Sequence, residues 1–252
     1  MFVSVKGKVV LIFGGSSGIG KALANRFCKE GAAVVATYFS TKTNEVAEML
    51  EDNFRYCDIR HPSELNSVCE YTREKYGRID IAINCAGITD DAEIEEMTAD
   101  QWEKVISINL TGTMNFLKVA SSYMKCSGGK VFVLSSSQGK AARTRQANYV
   151  ASKAGVSQMC IVAAKELAKY NIHVNVICPG FIETGLNKNH PEKRQAADYL
   201  SLFPTENNLV DLINCVLFLS SDLVRGITGQ IFTIDSRVFG FAKKSRECAT
   251  KN

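Results

Sequence analysis

Histidine, proline and tryptophan are scarce in this chain, at three, four and one in 252 residues. No Cys-x-x-Cys pair occurs, and no histidine stands at zinc-ligand spacing to a cysteine. The common zinc patterns are therefore absent and no metal is expected. The shortage of proline leaves few natural breaks. With no Pro/Gly/Ser linker, repeat or low-complexity segment, residues 1–252 are expected to form a single domain. Long apolar runs are missing as well. None approaches the roughly 18 residues of a spanning helix. The run at residues 9–13 is too short for a signal-peptide core and leads straight into glycines. A soluble chain with no membrane partner is expected. Charge of one sign is weak, with a net charge of +4 and 22% charged residues. Only the tail, with Lys243, Lys244, Arg246 and Lys251, clusters basic residues. A short charged end is usually solvated, and the basic stripe of a nucleic-acid binder is absent.

Cysteine is plentiful. There are nine, an odd number, so a complete set of internal disulfides is excluded. Several lie in apolar runs, as Cys178 does after Val176 and Ile177, where a thiol reads as a small buried hydrophobe. Reduced thiols imply a reducing compartment, and the expected location is the cytoplasm.

The dominant pattern is a short β-branched run followed by a longer amphipathic stretch. The runs fall at residues 9–13, 33–37, 54–57, 79–84, 131–134, 172–178 and 231–234. Continuous apolar runs suit strands buried on both faces of a parallel sheet. Helices are predicted between them at 20–30, 45–51, 62–76, 99–124, 147–169 and 209–219. The alternation predicts an α/β chain, a doubly wound parallel sheet of about seven strands with helices on both faces. Residues 181–208 interrupt it. They hold Pro191 and Pro204 and show no strand pattern, and they follow a strand end, where such sheets bind ligands. They read as a loop over the substrate.

The first strand runs into Gly14-Gly15-Ser16-Ser17-Gly18-Ile19-Gly20. Glycines there allow a tight turn against a pyrophosphate, and the N–H groups opening the next helix attract the anion. No Gly-Lys-Ser/Thr follows, which excludes a Walker A loop. At the end of the second strand an acidic residue would select NAD by bonding the ribose hydroxyls. The stretch 36–42, with Thr37, Tyr38, Ser40 and Lys42, has no carboxylate. NADP(H) is therefore favoured, although Ser17 stands where a basic residue would have strengthened that reading, and NAD(H) stays open.

Tyr149 and Lys153 stand four apart in a predicted helix and so share one face. An ordinary phenol, with a pKa of about 10, is a poor acid–base group near neutrality. A neighbouring ammonium and a cationic nicotinamide are expected to lower it, making Tyr149 a proton donor for carbonyl reduction. Lys153 is also placed to hold the nicotinamide ribose. Ser136 ends the fifth strand, at the edge that carries the glycine loop, where its hydroxyl can bond a carbonyl oxygen.

With these residues in order, the chain resembles the short-chain dehydrogenase/reductase family over nearly its whole length. Gly14, Gly18, Ile19 and Gly20 look like its cofactor loop. Asp58-Ile59 looks like its adenine-contacting pair, and Asn84-Cys85-Ala86-Gly87 is similar to its Asn-Asn-Ala-Gly element. Asn109 matches its helix asparagine, and Pro179-Gly180-Phe181-Ile182-Glu183-Thr184 resembles its Pro-Gly-x-x-x-Thr loop. The resemblance implies a Rossmann fold. It implies Tyr149 as acid–base, Lys153 as modulator, Ser136 as carbonyl orienter and Asn109 as holder of a relay water. Gly14, Ser16, Ser17, Gly18, Ile19, Gly20, Thr37, Tyr38, Asp58, Ile59, Asn84, Ala86, Gly87, Pro179, Gly180, Ile182 and Thr184 would line the cofactor site. A homotetramer is implied, with the helices of Gln158 and Leu217 at interfaces. Within the family the chain looks most like reductases of 3-oxoacyl groups linked to a carrier protein or CoA; a tailoring ketoreductase or alcohol dehydrogenase of small-molecule or polyketide-like metabolism is the alternative, and a non-catalytic nucleotide-binding sensor a remote one. Phe13, Cys85 and Asp235-Ser236-Arg237 depart from the pattern. Ser127 and Tyr170 replace the carrier-docking arginines, with Lys125, Lys130 and Lys169 close by.

Overall fold

The computed structural model describes residues 3–40, 44–183, 191–203 and 208–237. Its centre is one parallel sheet of β1 (Val9–Phe13), β2 (Ala33–Tyr38), β3 (Phe54–Tyr56), β4 (Ile81–Asn84), β5 (Gly129–Leu134), β6 (Ile172–Pro179) and β7 (Ile231–Ile234), in the order β3-β2-β1-β4-β5-β6-β7. The helices are α1 (Gly18–Lys29), α2 (Asn44–Leu50), α3 (Pro62–Tyr76), α4 (Ala99–Ile106), α5 (Gly112–Met124), α6 (Gln138–Ala141), α7 (Ala147–Leu167), α8 (Pro191–Leu200) and α9 (Asn208–Ser220). The expected doubly wound Rossmann sheet is the observed one.

The reason lies in the continuous apolar strands. Alternate side chains of β1 enter opposite cores: Leu11 and Phe13 pack with Phe116, Val156 and Cys160 beneath α5 and α7. Val10 and Ile12 pack with Leu23, Phe27, Leu212 and Val216 beneath α1 and α9. A strand polar on one face could not fill both layers. Chain order reverses between β1, which pairs with β2 on one side, and β4 on the other. At such a switch point the strand ends open into a crevice. None of the eight described cysteines forms a disulfide, and Cys178 is buried. Among the described residues no helix is long and apolar enough to cross a membrane.

Three features depart from the sequence expectation. Residues 99–124 were expected as one helix, but a π turn at Ser107–Thr111 divides them. Periodicity hides it, because a one-residue bulge leaves apolar spacing on either side intact. The 181–208 segment contains α8, and a short α6 follows β5. Both are too short or too polar to show a long apolar stripe. α3 begins and ends as predicted: Pro62 occupies the first turn, and Gly77 at φ +78° closes it.

Phe116 is fully buried, edge-on to Phe13 at 5.5 Å between centroids. Phe116→Ala is expected to destabilise the fold by about 3–5 kcal/mol, read as a lower urea midpoint at unchanged slope.

Candidate active site

The glycine loop is built by close approach. Gly14 has φ +77°, and a Cβ there would stand 2.7 Å from the Ala86 nitrogen in the turn after β4. A Cβ on Gly20 would overlap the Gly14 carbonyl oxygen. The Gly14 N–H donates to the Thr37 hydroxyl (3.1 Å) and the Gly15 N–H to the Thr37 carbonyl (2.8 Å). Thr37 is thus buried beneath the loop, and its hydroxyl is engaged there. Asn84 shapes the facing turn: its Oδ1 accepts from Ala86 N (3.0 Å) and its Nδ2 donates to Thr113 Oγ1 (3.0 Å). α1 opens with no acidic residue in its first turn and no side-chain cap from Ser17. Its leading N–H groups are available to an anion. A cradle that tolerates no Cβ, ahead of an uncapped helix, fits the pyrophosphate of a dinucleotide.

Further along the strand ends, Ser136, Tyr149 and Lys153 line one cavity of about 620 Å³ with Gly14, Gly18 and Gly20. Ser136 Oγ accepts from the Gln138 N–H (3.1 Å) and lies on the same wall as the Tyr149 phenol. The Lys153 ammonium donates to the Leu134 carbonyl (2.9 Å) and lies 5.8 Å from the Tyr149 ring centroid. Burial pulls the Lys153 ammonium down to about 8, with the buried thiols of Cys178, Cys85 and Cys160 opposing. The protein's own groups do not by themselves lower Tyr149. Burial raises this phenol above its ordinary value; the nearby Ser136 hydroxyl opposes, and Asp91 and Cys178 add to the rise. The ammonium is turned to a backbone carbonyl rather than to the phenol oxygen, so desolvation prevails.

Asn109 lies fully buried in the π turn. Its amide donates to Ile88 O (3.0 Å) and Ser152 Oγ (3.1 Å), and its Oδ1 accepts from Ile88 N (2.9 Å). Both ends of that side chain are therefore occupied by protein. Ser135, one residue from Ser136, donates to the Lys153 carbonyl (2.8 Å) and bonds Ser157 (2.9 Å). These contacts seat α7 on β5.

Other expected positions are distributed along the same strand ends. Ile59 is a core residue against Gly112. Asp58 accepts from the Arg60 backbone and guanidinium at 2.5–3.0 Å. Tyr38 packs on Phe54 (4.8 Å). Pro179, Gly180 and Ile182 line the cavity with Ser17 and Ile19; Thr184 lies outside the described residues, as do Lys42, Cys248 and the basic tail. Of the lysines near the missing docking arginines, Lys130 is not available. Its ammonium donates to the carbonyls of Leu219, Ser221 and Val224 at 2.6–2.7 Å, and burial lowers it to about 8. Lys125 and Lys169 instead stand over the Tyr170 ring at 5.1 and 5.2 Å.

Sequence reasoning did not find Gln138, Arg143, Ala197, Leu200 or Arg237 on the cavity wall. Arg237 is nearly buried, paired with a fully buried Asp235 and bonded to Ser137 Oγ (3.0 Å). Its one signal was the departure from the family pattern at 235–237.

Residues 14–236 match the family model described as enoyl-(acyl carrier protein) reductase. A 3-oxoacyl-[acyl-carrier-protein] reductase of Thermotoga maritima is 39% identical over 241 residues, covering 92% of this chain and 97% of that protein. The reductase of the same name from Salmonella typhimurium is 32% identical over 243 residues, at 94% and 99% coverage. Among solved structures, a dehydrogenase/reductase from Sinorhizobium meliloti superposes with a TM-score of 0.86 at 27% identity, covering 93% of this chain and 96% of that one. The structure named gox2181 does so at 0.85, also at 27% identity. The chain belongs to the short-chain dehydrogenase/reductase family and is an oxidoreductase.

Proposed function

We propose that the chain is an NADP(H)-dependent carbonyl reductase that reduces a 3-oxoacyl thioester to the 3-hydroxyacyl product. The observation that carries this reading is the meeting of Ser136, Tyr149 and Lys153 on the wall of the cavity that begins at the glycine loop. Bound reduced nicotinamide supplies the hydride. The substrate carbonyl oxygen sits between the Ser136 hydroxyl and the Tyr149 phenol. As the carbonyl carbon receives the hydride, the developing alkoxide takes the Tyr149 proton, and the phenolate is reprotonated from solvent. A phenol raised by burial stays protonated near neutrality, which is the form that reduction requires. Lys153 places a buried positive charge beside the phenolate that forms. Asn109 holds the turn after β4 against α7 through its bonds to Ile88 and Ser152. The carrier-linked substrate draws on the printed names of the two reductases above.

Arg143 favours a second reading. This exposed arginine lines the cavity wall, which suits a small-molecule ketone bearing an acidic group. Parallel assays of NADPH and NADH oxidation with acetoacetyl-CoA, crotonyl-CoA and a 3-oxo acid separate the cases. Fast NADPH oxidation with acetoacetyl-CoA alone supports the 3-oxoacyl reading. Reaction only with the free acid supports the second, and reaction only with crotonyl-CoA overturns both.

Tyr149→Phe is expected to lower turnover by about 10²–10⁴-fold while leaving the NADPH dissociation constant unchanged in a fluorescence titration. Wild-type turnover would remove Tyr149 from the chemistry.

The Lys153 charge has its own signature. Its folded pKa of about 8 lies below its unfolded value of about 10.4. Between the two, the unfolded state binds more protons, so stability rises with pH across that window. Relative to Lys153→Met, the wild type should gain about 2 kcal/mol in urea unfolding from pH 7 to pH 9.5. A constant difference would show that Lys153 is not a buried ammonium.

A further inference from the structure

The reacting groups lie to one side of the α1 N-terminus. Ser136 follows β5, Tyr149 is on α7 and Pro179 ends β6, all on the β4 side of β1 in the strand order. A dinucleotide with its pyrophosphate at that N-terminus and its nicotinamide at Tyr149 must lay its adenosine half over the ends of β2 and β3. The glycine loop brings no cation there, since position 17 is serine. Of the other described cations on this flank, Lys21 is paired with Glu45 (2.5 Å) and Arg55 stacks on the Tyr71 ring (4.4 Å).

Arg60 is placed differently. It follows β3, its side chain is 39% exposed, and its guanidinium lies 5.6 Å from the centroid of the Phe39 ring at the end of β2. Phe39 is itself half exposed at 47%, braced by Tyr56 at 6.0 Å. An aromatic ring in water beside a guanidinium offers a stacking face to an adenine. Asp58, the carboxylate on this edge, is held by Arg60 through Nε (2.9 and 3.0 Å) and Nη2 (2.5 Å) and is only 7% exposed. Thus the group that would repel a 2′-phosphate is covered by the group that would attract one. Those bonds engage Nε and Nη2 and leave Nη1 for a ligand. His61 Nε2, 3.8 Å from Asp58, adds a second basic group.

We propose that Arg60 and Phe39 form the adenosine 2′-phosphate site, with Phe39 stacking on the base and Arg60 bonding the phosphate. This rests on the NADP(H) reading above. Arg60 is here a specificity residue, supplying from the end of β3 the positive charge that position 17 lacks. Phe39 contributes to both cofactors, because both carry the adenine.

The test is a fluorescence titration of purified protein with NADPH and with NADH, without substrate. Arg60→Ala is expected to weaken NADPH about ten- to hundredfold, the loss of a charge-assisted bond, and to leave NADH within about twofold. Phe39→Ala should weaken both by the same factor. Retained NADH binding shows that Arg60→Ala folds, and an unchanged urea midpoint shows it for Phe39→Ala. The double variant Asp58→Asn/Arg60→Ala separates contact from unmasking: continued loss of NADPH supports direct contact, and recovery overturns it. Equal loss of both cofactors in Arg60→Ala overturns the inference and leaves the NADP(H) reading standing. A wild type that binds NADH as tightly as NADPH removes that reading and this inference together.

Discussion

The amide of Asn109, fully buried within the π turn, makes three hydrogen bonds, two to the backbone of Ile88 and one to Ser152. Together they join three pieces of chain: the helical stretch that carries the π turn, the loop after β4, and α7. The Tyr149–Lys153 face has a defined position because α7 is fixed here and again through Ser135 and Ser157. An unpaired amide at this depth would cost on the order of 1–3 kcal/mol, so the three segments move as one unit or not at all. The π turn is the means, since it places a side chain where a regular helix would have aimed it elsewhere.

The same logic of mutual dependence runs along the sheet edge. Thr37 holds the glycine loop from β2, Asn84 shapes the turn that Gly14 touches, and Gly180 packs against Asp235 at the end of β7. Each of these contacts is made between the protein's own groups, and contacts of this kind lower the ordering cost that a bound dinucleotide carries.

Much of this was legible in the sequence. Strands buried on both faces appear as unbroken apolar runs, and β1 and β7 have the bounds their runs suggest. Proline at the first turn and glycine just beyond the last gave α3 its limits. The glycine loop and the Tyr149–Lys153 pair were visible because their spacing is local. What stayed hidden depends on contacts distant in sequence. No local pattern shows that Thr37 faces the loop, that Lys130 is engaged by carbonyls some ninety residues away, or that Arg237 reaches Ser137. The part that burial plays at Tyr149 was hidden for a related reason. Spacing places Lys153 near the ring, but only the fold shows its ammonium turned to Leu134.

The strand order also bears on how the chain is made. β1 is third in the seven-strand order, and its second neighbour is β4, with Val10 registered against Ile81. Until the ribosome has delivered some eighty residues, β1 is an open apolar edge, and apolar edges pair with whatever strand they meet. β1 is therefore made well before the strand that covers it. During that interval its open edge is the part of the chain most exposed to mispairing.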